Sequence, residues 1–323
     1  MELVKASPKV VVVGEGMIEA TSAGSGLWRL GGGGDTLNTA IHMARLGCDV
    51  AYVTALGSDP FSEDLRAAWA AEGLDLSHVM TDPARRPGLY AIQTDDAGER
   101  TFHYWREHSA ARRMFDLPGA VDALAAIAGA DLVIFSLITL AILPPTGRRA
   151  LIKACSKAGI GAQVAFDGNY RPRLWASARE ARKARNIALR VSDIGLPTLS
   201  DEILLEDDPA PEARPGVLTA GDVAQRWASR GVTEVVVKLG EDGCRLPDGR
   251  VSPPPLRIAP LDTSGAGDAF NAGYLAARLR DLEPMAAALA GHQLAGWVIQ
   301  RAGAVPDRDA DAPYPAPRIA SPS

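Results

Sequence analysis

The chain has 323 residues, 47% of them hydrophobic, enough for a large α/β domain with a sizeable core. Its formal net charge is −5 and no stretch is dense in lysine or arginine, so neither nucleic acid nor an anionic membrane surface is an expected partner. Three widely spaced cysteines (Cys48, Cys155, Cys244), a start without an apolar stretch behind a basic head, and no run of membrane-spanning length point to a reduced, cytoplasmic protein.

Val10-Val11-Val12-Val13 is a continuous apolar run ended by glycine, the pattern of a strand buried on both faces of a parallel sheet. Gly14-Glu15-Gly16-Met17-Ile18-Glu19 begins like a dinucleotide fingerprint, but Glu19 stands where a third small residue is needed, which argues against a nicotinamide dehydrogenase. A run of glycines ending at Gly33 and Gly34 leads into a helix that Asp35 or Thr36 can cap, with Leu37, Ala40, Ile41 and Ala44 as its apolar stripe. Residues 48–56 read as a strand and 61–72 as a helix. Residues 88–94 and 100–105 read as a hairpin around the turn set Asp95-Asp96-Ala97-Gly98-Glu99, standing apart from the main sheet.

From residue 121 onward helices (121–128, 145–158, 176–189, 220–230) alternate with strands (131–136, 162–167, 193–197, 234–239). Residues 206–215 read as an acidic surface loop, and Pro253-Pro254-Pro255 excludes interior strand positions. A small-residue turn over 261–268 feeds a helix marked by Phe270, Gly273, Tyr274 and Ala277; 284–301 is a long alanine-rich helix; the remainder is a proline-rich, extended tail. The alternation predicts a mostly parallel sheet with helices on both faces, with ligands bound beyond the C-terminal strand ends. Asp167, Pro197, Leu239 and Asp268 would then share one rim, with the hairpin folding over it as a lid.

The turn at Ser264-Gly265-Ala266-Gly267 is an anion site: free backbone N–H groups and the positive end of a helix dipole converge there, and phosphate is the usual occupant. A carboxylate beside it, Asp268, would repel phosphate unless its task is to take a proton from the attacking group; the alternative is that it complements the helix dipole. On a strand, Phe102, Tyr104 and Arg106 share one face, which Tyr90 can join; that face suits a small polar substrate carrying an anion. Arg171, in the loop after a buried strand, can clamp a carboxylate, with Asp167 to orient it. Two arginines at one rim fit a sugar acid better than a neutral sugar.

Asp262-Thr263-Ser264-Gly265-Ala266-Gly267-Asp268 resembles the second signature of the ribokinase (PfkB) family of sugar kinases, and Gly33-Gly34-Asp35-Thr36-Leu37-Asn38-Thr39-Ala40 is similar to its first. The resemblance covers about residues 10–305. It implies a ribokinase-like three-layer α/β sandwich over 1–305, a small β lid from segments around 16–34 and 88–106, and a tail over 306–323. It implies ATP and Mg²⁺, Asp268 as base, and the N–H groups of Gly265, Ala266 and Gly267 on the transferred phosphoryl group. Gly33, Gly34, Asp35 and Asn38 would meet the sugar; Thr198, Lys238, Gly240, Gly243, Ser264 and His292 would meet the nucleotide. The family usually carries Asn-x-x-Glu where Thr198 stands for the asparagine here, so Asp201 or Glu202 would hold the metal through water.

Pro87-Gly88-Leu89-Tyr90, the segment from Gly98 to Arg106, and Phe166-Asp167-Gly168-Asn169-Tyr170-Arg171-Pro172 resemble family members acting on a 2-keto-3-deoxy sugar acid. They imply that Tyr90, Tyr104, Arg106 and Arg171 hold that acid. The other readings are a family kinase for fructose, ribose or a nucleoside, and a non-catalytic binding regulator. The expected partners are small molecules only, with homo-oligomerisation left open.

Overall fold

The computed structural model describes residues 8–23, 25–94, 100–159, 161–206 and 218–315. In chain order the elements are β1 (Lys9–Val13), β2 (Met17–Ser22), β3 (Trp28–Gly33), α1 (Asp35–Arg45), β4 (Asp49–Leu56), α2 (Pro60–Ala71), β5 (Val79–Thr81), β6 (Leu89–Thr94) and β7 (Arg100–Trp105). There follow α3 (Ala120–Ala128), β8 (Leu132–Ser136), α4 (Leu137–Ile142), α5 (Pro145–Cys155), β9 (Gln163–Asp167), α6 (Ala178–Ala188), β10 (Ile194–Leu196), α7 (Leu199–Glu206) and α8 (Ala220–Ala228). The last are β11 (Glu234–Val235), β12 (Val237–Lys238), β13 (Cys244–Arg245), β14 (Val251–Ser252), α9 (Ala266–Arg278) and α10 (Pro284–Val298).

Seven strands form one sheet in the order β11-β10-β9-β8-β1-β4-β5, and every pairing in it is parallel. The valine run makes β1 an interior strand, between β8 and β4. Val10 and Val12 point into a core shared with α1, α2, α9 and α10; Val11 and Val13 point into one shared with α3 to α6 and α8. Period-2 alternation thus divides one apolar run between two helical layers, giving the three-layer sandwich. From β1 the chain goes to β4 on one side, and β8 later returns to the other. The crevice at that reversal, above the C-terminal ends of β1 and β8, is where such sheets bind ligands.

A second sheet, β3-β2-β6-β7, stands apart. The hairpin of β6 and β7 is as expected, with its turn at 95–99 outside the described residues. The β lid that the resemblance implied for the segment around 16–34 is made by β2 and β3, which no local pattern marks as strands: Trp28–Gly33 is half glycine and has little strand propensity of its own, but six residues pair antiparallel with β2. Neither α4 nor α7 was expected. Residues 207–215 of the expected acidic loop lie outside the described residues, and Glu206 closes α7. The expected cap of α1 is corrected. Gly34 is the N-cap, without a side-chain bond, and Asp35 is the first helical residue. A Cβ on Gly34 would stand 2.2 Å from the Glu15 carbonyl, at a φ of +149°, so only glycine fits. Among the described residues no helix is long and apolar enough to cross a membrane.

Candidate active site

The anion turn forms as the sequence suggests. Gly265 is left-handed (φ 69°) and caps α9 without a side chain. Asp262 braces the turn: its carboxylate accepts from Ser264 N–H at 2.8 Å and from Gly303 N–H at 2.7 Å. Among the described residues the N–H groups of Gly265 and Gly267 carry no hydrogen bond, whereas Ala266 N–H closes on the Thr263 carbonyl at 3.3 Å. Ala266 is therefore corrected from an anion donor to part of the turn's own structure.

Asp268 sits one residue further on, buried in the crevice. Asn38, projecting from α1, donates to its Oδ2 at 2.8 Å. Burial, and then the charge of Asp35, push the Asp268 carboxyl up to about 8 against the pull of that bond. Asp35 is likewise raised, first by burial, with the Ser136 hydroxyl opposing. A carboxyl poised near neutrality is matched to accepting a proton from an alcohol. Asn169 donates to Asp35 at 3.3 Å. The buried Oδ1 atoms of Asn38 and Asn169 have no partner among the described residues, so two acceptors and the two carboxyls face one crevice. That set suits the hydroxyls of a polyol.

Lys238 Nζ donates to Asp167 at 3.0 Å and to Asn271 Oδ1 at 3.1 Å, and Asn271 Nδ2 returns to Asp167 at 2.9 Å. This closed triangle holds the ammonium beside the anion turn, 3.6 Å from where a Cβ on Gly267 would be. Asp167 thus positions Lys238, not Arg171; the latter pairs with Asp201 at 3.3 Å and bonds the Tyr170 carbonyl at 2.7 Å. Asn271 was missed. Its one sequence signal is an amide three residues after Asp268 on an otherwise apolar helix face.

On the second sheet Tyr90 and Tyr104 are directly opposite, their rings 5.8 Å apart. Tyr104 is 41% exposed and open to a ligand, while the Tyr90 hydroxyl, beside Gly33, bonds Glu19. Arg106 follows β7 and its guanidinium lies 6.0 Å from the Tyr104 ring centroid. It is buried against Glu15, to which its Nε donates at 2.8 Å. Glu15 belongs to the site and was not anticipated. Its other oxygen is buried without a partner among the described residues.

The nucleotide side is partly corrected. Thr198 bridges to Lys238 at the rim, and Gly240 and Gly243 shape the turn between β12 and β13. His292 is a core residue instead: its Nε2 bonds the Ser252 carbonyl at 3.0 Å, its ring packs 5.1 Å from Phe270, and burial lowers its pKa. Glu202 is also removed from the rim, being fully buried in an ion pair with Arg185 at 2.6 Å. Asp201 remains there, its carboxyl raised by burial against Arg171. The described residues contain no cluster of three metal-ligating side chains.

The family model described as pfkB family carbohydrate kinase matches residues 7–311. A 2-dehydro-3-deoxygluconokinase of Escherichia coli (strain K12) is 41% identical over 315 residues, covering 94% of this chain and 99% of that protein. Another, of Dickeya dadantii (strain 3937), is 40% identical over 309 residues, covering 92% and 96%. Among solved structures, a PfkB protein from Polaromonas sp. JS666 superposes with a TM-score of 0.75 at 28% identity, covering 93% of this chain and 98% of that one.

Proposed function

Since the chain belongs to the pfkB family of carbohydrate kinases, we propose that it phosphorylates 2-keto-3-deoxygluconate on its C6 hydroxyl with ATP, releasing 2-keto-3-deoxy-6-phosphogluconate and ADP in the cytoplasm. The observation that carries this reading is a buried carboxyl raised toward neutrality at the mouth of an anion turn, facing a lid that bears tyrosines and arginine.

In this reading Asp268 takes the proton of the C6 hydroxyl as it attacks, and Asn38 aims the carboxylate. The N–H groups of Gly265 and Gly267, with Lys238, receive the charge that builds on the transferred phosphoryl group; positioning and electrostatics are most of what this reaction needs. Ser264 completes the turn around the phosphates, and Thr198, Gly240 and Gly243 border the rest of the nucleotide. Asp35, Asn38 and Asn169 accept sugar hydroxyls, with Gly33 and Gly34 letting the sugar approach the backbone. Tyr90, Tyr104, Arg106 and Arg171 hold the acid end. The second sheet, within 16–34 and 88–106, is the lid on the kinase unit expected over 1–305; the chain from Pro306 to Tyr314, expected as an extended tail, packs on α1 and α10 instead.

With no cluster of three metal-ligating side chains among the described residues, the site fits Mg²⁺ held mainly by the nucleotide, with Asp201 reaching it through water, better than a protein cage. When bound, the cation neutralises phosphate charge. The test is a coupled ADP-release assay with 2-keto-3-deoxygluconate, fructose and ribose. The expected result is a kcat/KM for the sugar acid at least about a hundredfold above the neutral sugars, the loss of one charge-assisted bidentate contact being worth roughly 3 kcal/mol. A preference for fructose or ribose would overturn the assignment.

A further inference from the structure

The anion turn is held from behind by the chain that follows α10. Gly303 N–H donates to Asp262, and Gly265 lies so close to Ala304 that a Cβ there would be 2.5 Å from the Ala304 Cβ. The Ala304 carbonyl bonds His42 Nε2 at 2.9 Å. His42 is completely buried and lies one helical turn beyond Asn38 on α1. A carbonyl oxygen only accepts, so Nε2 carries the hydrogen. Burial holds the ring neutral, its pKa lowered to about 4, so Nδ1 is bare and must accept. Its donor is the Tyr314 hydroxyl, at 2.7 Å.

Tyr314 is itself fixed. Its ring meets Trp297 edge-on at 5.4 Å, and the Arg308 and Arg45 guanidinia lie 5.1 and 5.7 Å from its centroid. Arg45 also donates to the Pro306 carbonyl at 2.6 Å. One chain of contacts therefore runs from Tyr314 through His42 and Ala304 to Gly265, and the same helix carries Asn38, which holds Asp268.

We propose that His42 and Tyr314 are positioning residues: the pair sets the anion turn against α1, so that the chain as far as Tyr314 belongs to the catalytic apparatus. This rests on the kinase reading above. The Ala304 carbonyl fixes the His42 tautomer, and the Tyr314 hydroxyl, donating to the remaining ring nitrogen, fixes the orientation of the ring that grips Ala304. Without that hydroxyl Nδ1 is a buried acceptor with no donor, the ring loses its second anchor and can tilt, and the hold on the turn loosens. Displacement of catalytic groups by a fraction of an ångström is enough to slow transfer while leaving substrate binding intact.

Three proteins test this: Tyr314→Phe, a chain ending at Pro313, and a chain ending at Pro315. Each is measured well below its melting temperature, as a ratio to the unaltered protein, with whichever sugar of the panel that protein phosphorylates fastest; a wrong substrate assignment therefore leaves the test intact. The expected results are a kcat about tenfold lower or more for Tyr314→Phe with KM for the sugar within twofold, a larger fall for the chain ending at Pro313, and unchanged kcat for the chain ending at Pro315. A merely structural role lowers the melting temperature and leaves kcat of the folded enzyme alone. Normal kcat in Tyr314→Phe, or equal losses in the two shortened chains, would overturn the proposal.

Discussion

Asp268→Asn separates the work Asp268 does from what it costs. Folding raises its pKa from 3.8 to about 8. At about 1.36 kcal/mol per unit this is an upper bound of roughly 6 kcal/mol for carrying the charge in the crevice. The folded value is the higher one, so the folded protein binds the extra proton between the two. The penalty is absent below about pH 4, grows as pH rises, and is complete above about pH 8. Asparagine removes the charge, and its oxygen can still accept from Asn38. At roughly 2.1 cal/mol/K per residue, each kcal/mol moves the melting temperature of a chain this long by about 1.5 °C. The variant should melt within about 3 °C of the parent near pH 5 and roughly 8 °C above it at pH 9. Turnover should fall by about two orders of magnitude or more, and the parent's kcat/KM should rise about tenfold per pH unit up to about pH 8 and then level off. Thermal melts from pH 5 to 9 and the ADP-release assay read both. A melting difference that does not grow with pH, or turnover within tenfold of the parent, would falsify the assignment of Asp268 as a buried base.

Arg171→Ala removes a half-exposed guanidinium whose recorded partners are Asp201 and the Tyr170 carbonyl, so stability should change by less than about 1 kcal/mol while KM for the sugar acid rises about tenfold and KM for ATP stays within twofold; equal shifts in both constants would assign Arg171 to the loop's structure instead. Arg106→Met leaves Glu15 charged, buried and unpaired, and should destabilise the protein by about 3 kcal/mol or more in denaturant titrations. Adding Glu15→Gln should restore most of that stability but not the KM for the sugar acid; recovery of both would mean that the pair serves the fold alone.

Much of the architecture was legible because its signals are local. A valine run, the 3.6-residue stripes of the helices and a hairpin between two β-rich segments each act within a dozen residues, and the strand–helix alternation then leaves few topologies. The anion turn is equally local, since glycine at a left-handed position and a helix start immediately after it are properties of consecutive residues. Where local propensity is weak, only the family resemblance pointed to a β lid: Trp28–Gly33 is a strand because β2 supplies its hydrogen bonds, not because its residues favour extension.

The sequence by itself determined which chemical groups are present, a carboxyl, small-residue amides, arginines and tyrosines, and that an α/β sheet would carry most of them to one rim. Only the tertiary structure decided which of them are free to act. Asn38 lies 230 residues from Asp268, Lys238 lies 71 from Asp167, and Arg106 lies 91 from Glu15. His292 and Glu202 have the right chemistry but are enclosed with Ser252 and Arg185. The reason is that a polar side chain's role is set by what satisfies it once water is gone. That partner is brought by the packing of distant elements, and no spacing along the chain encodes it.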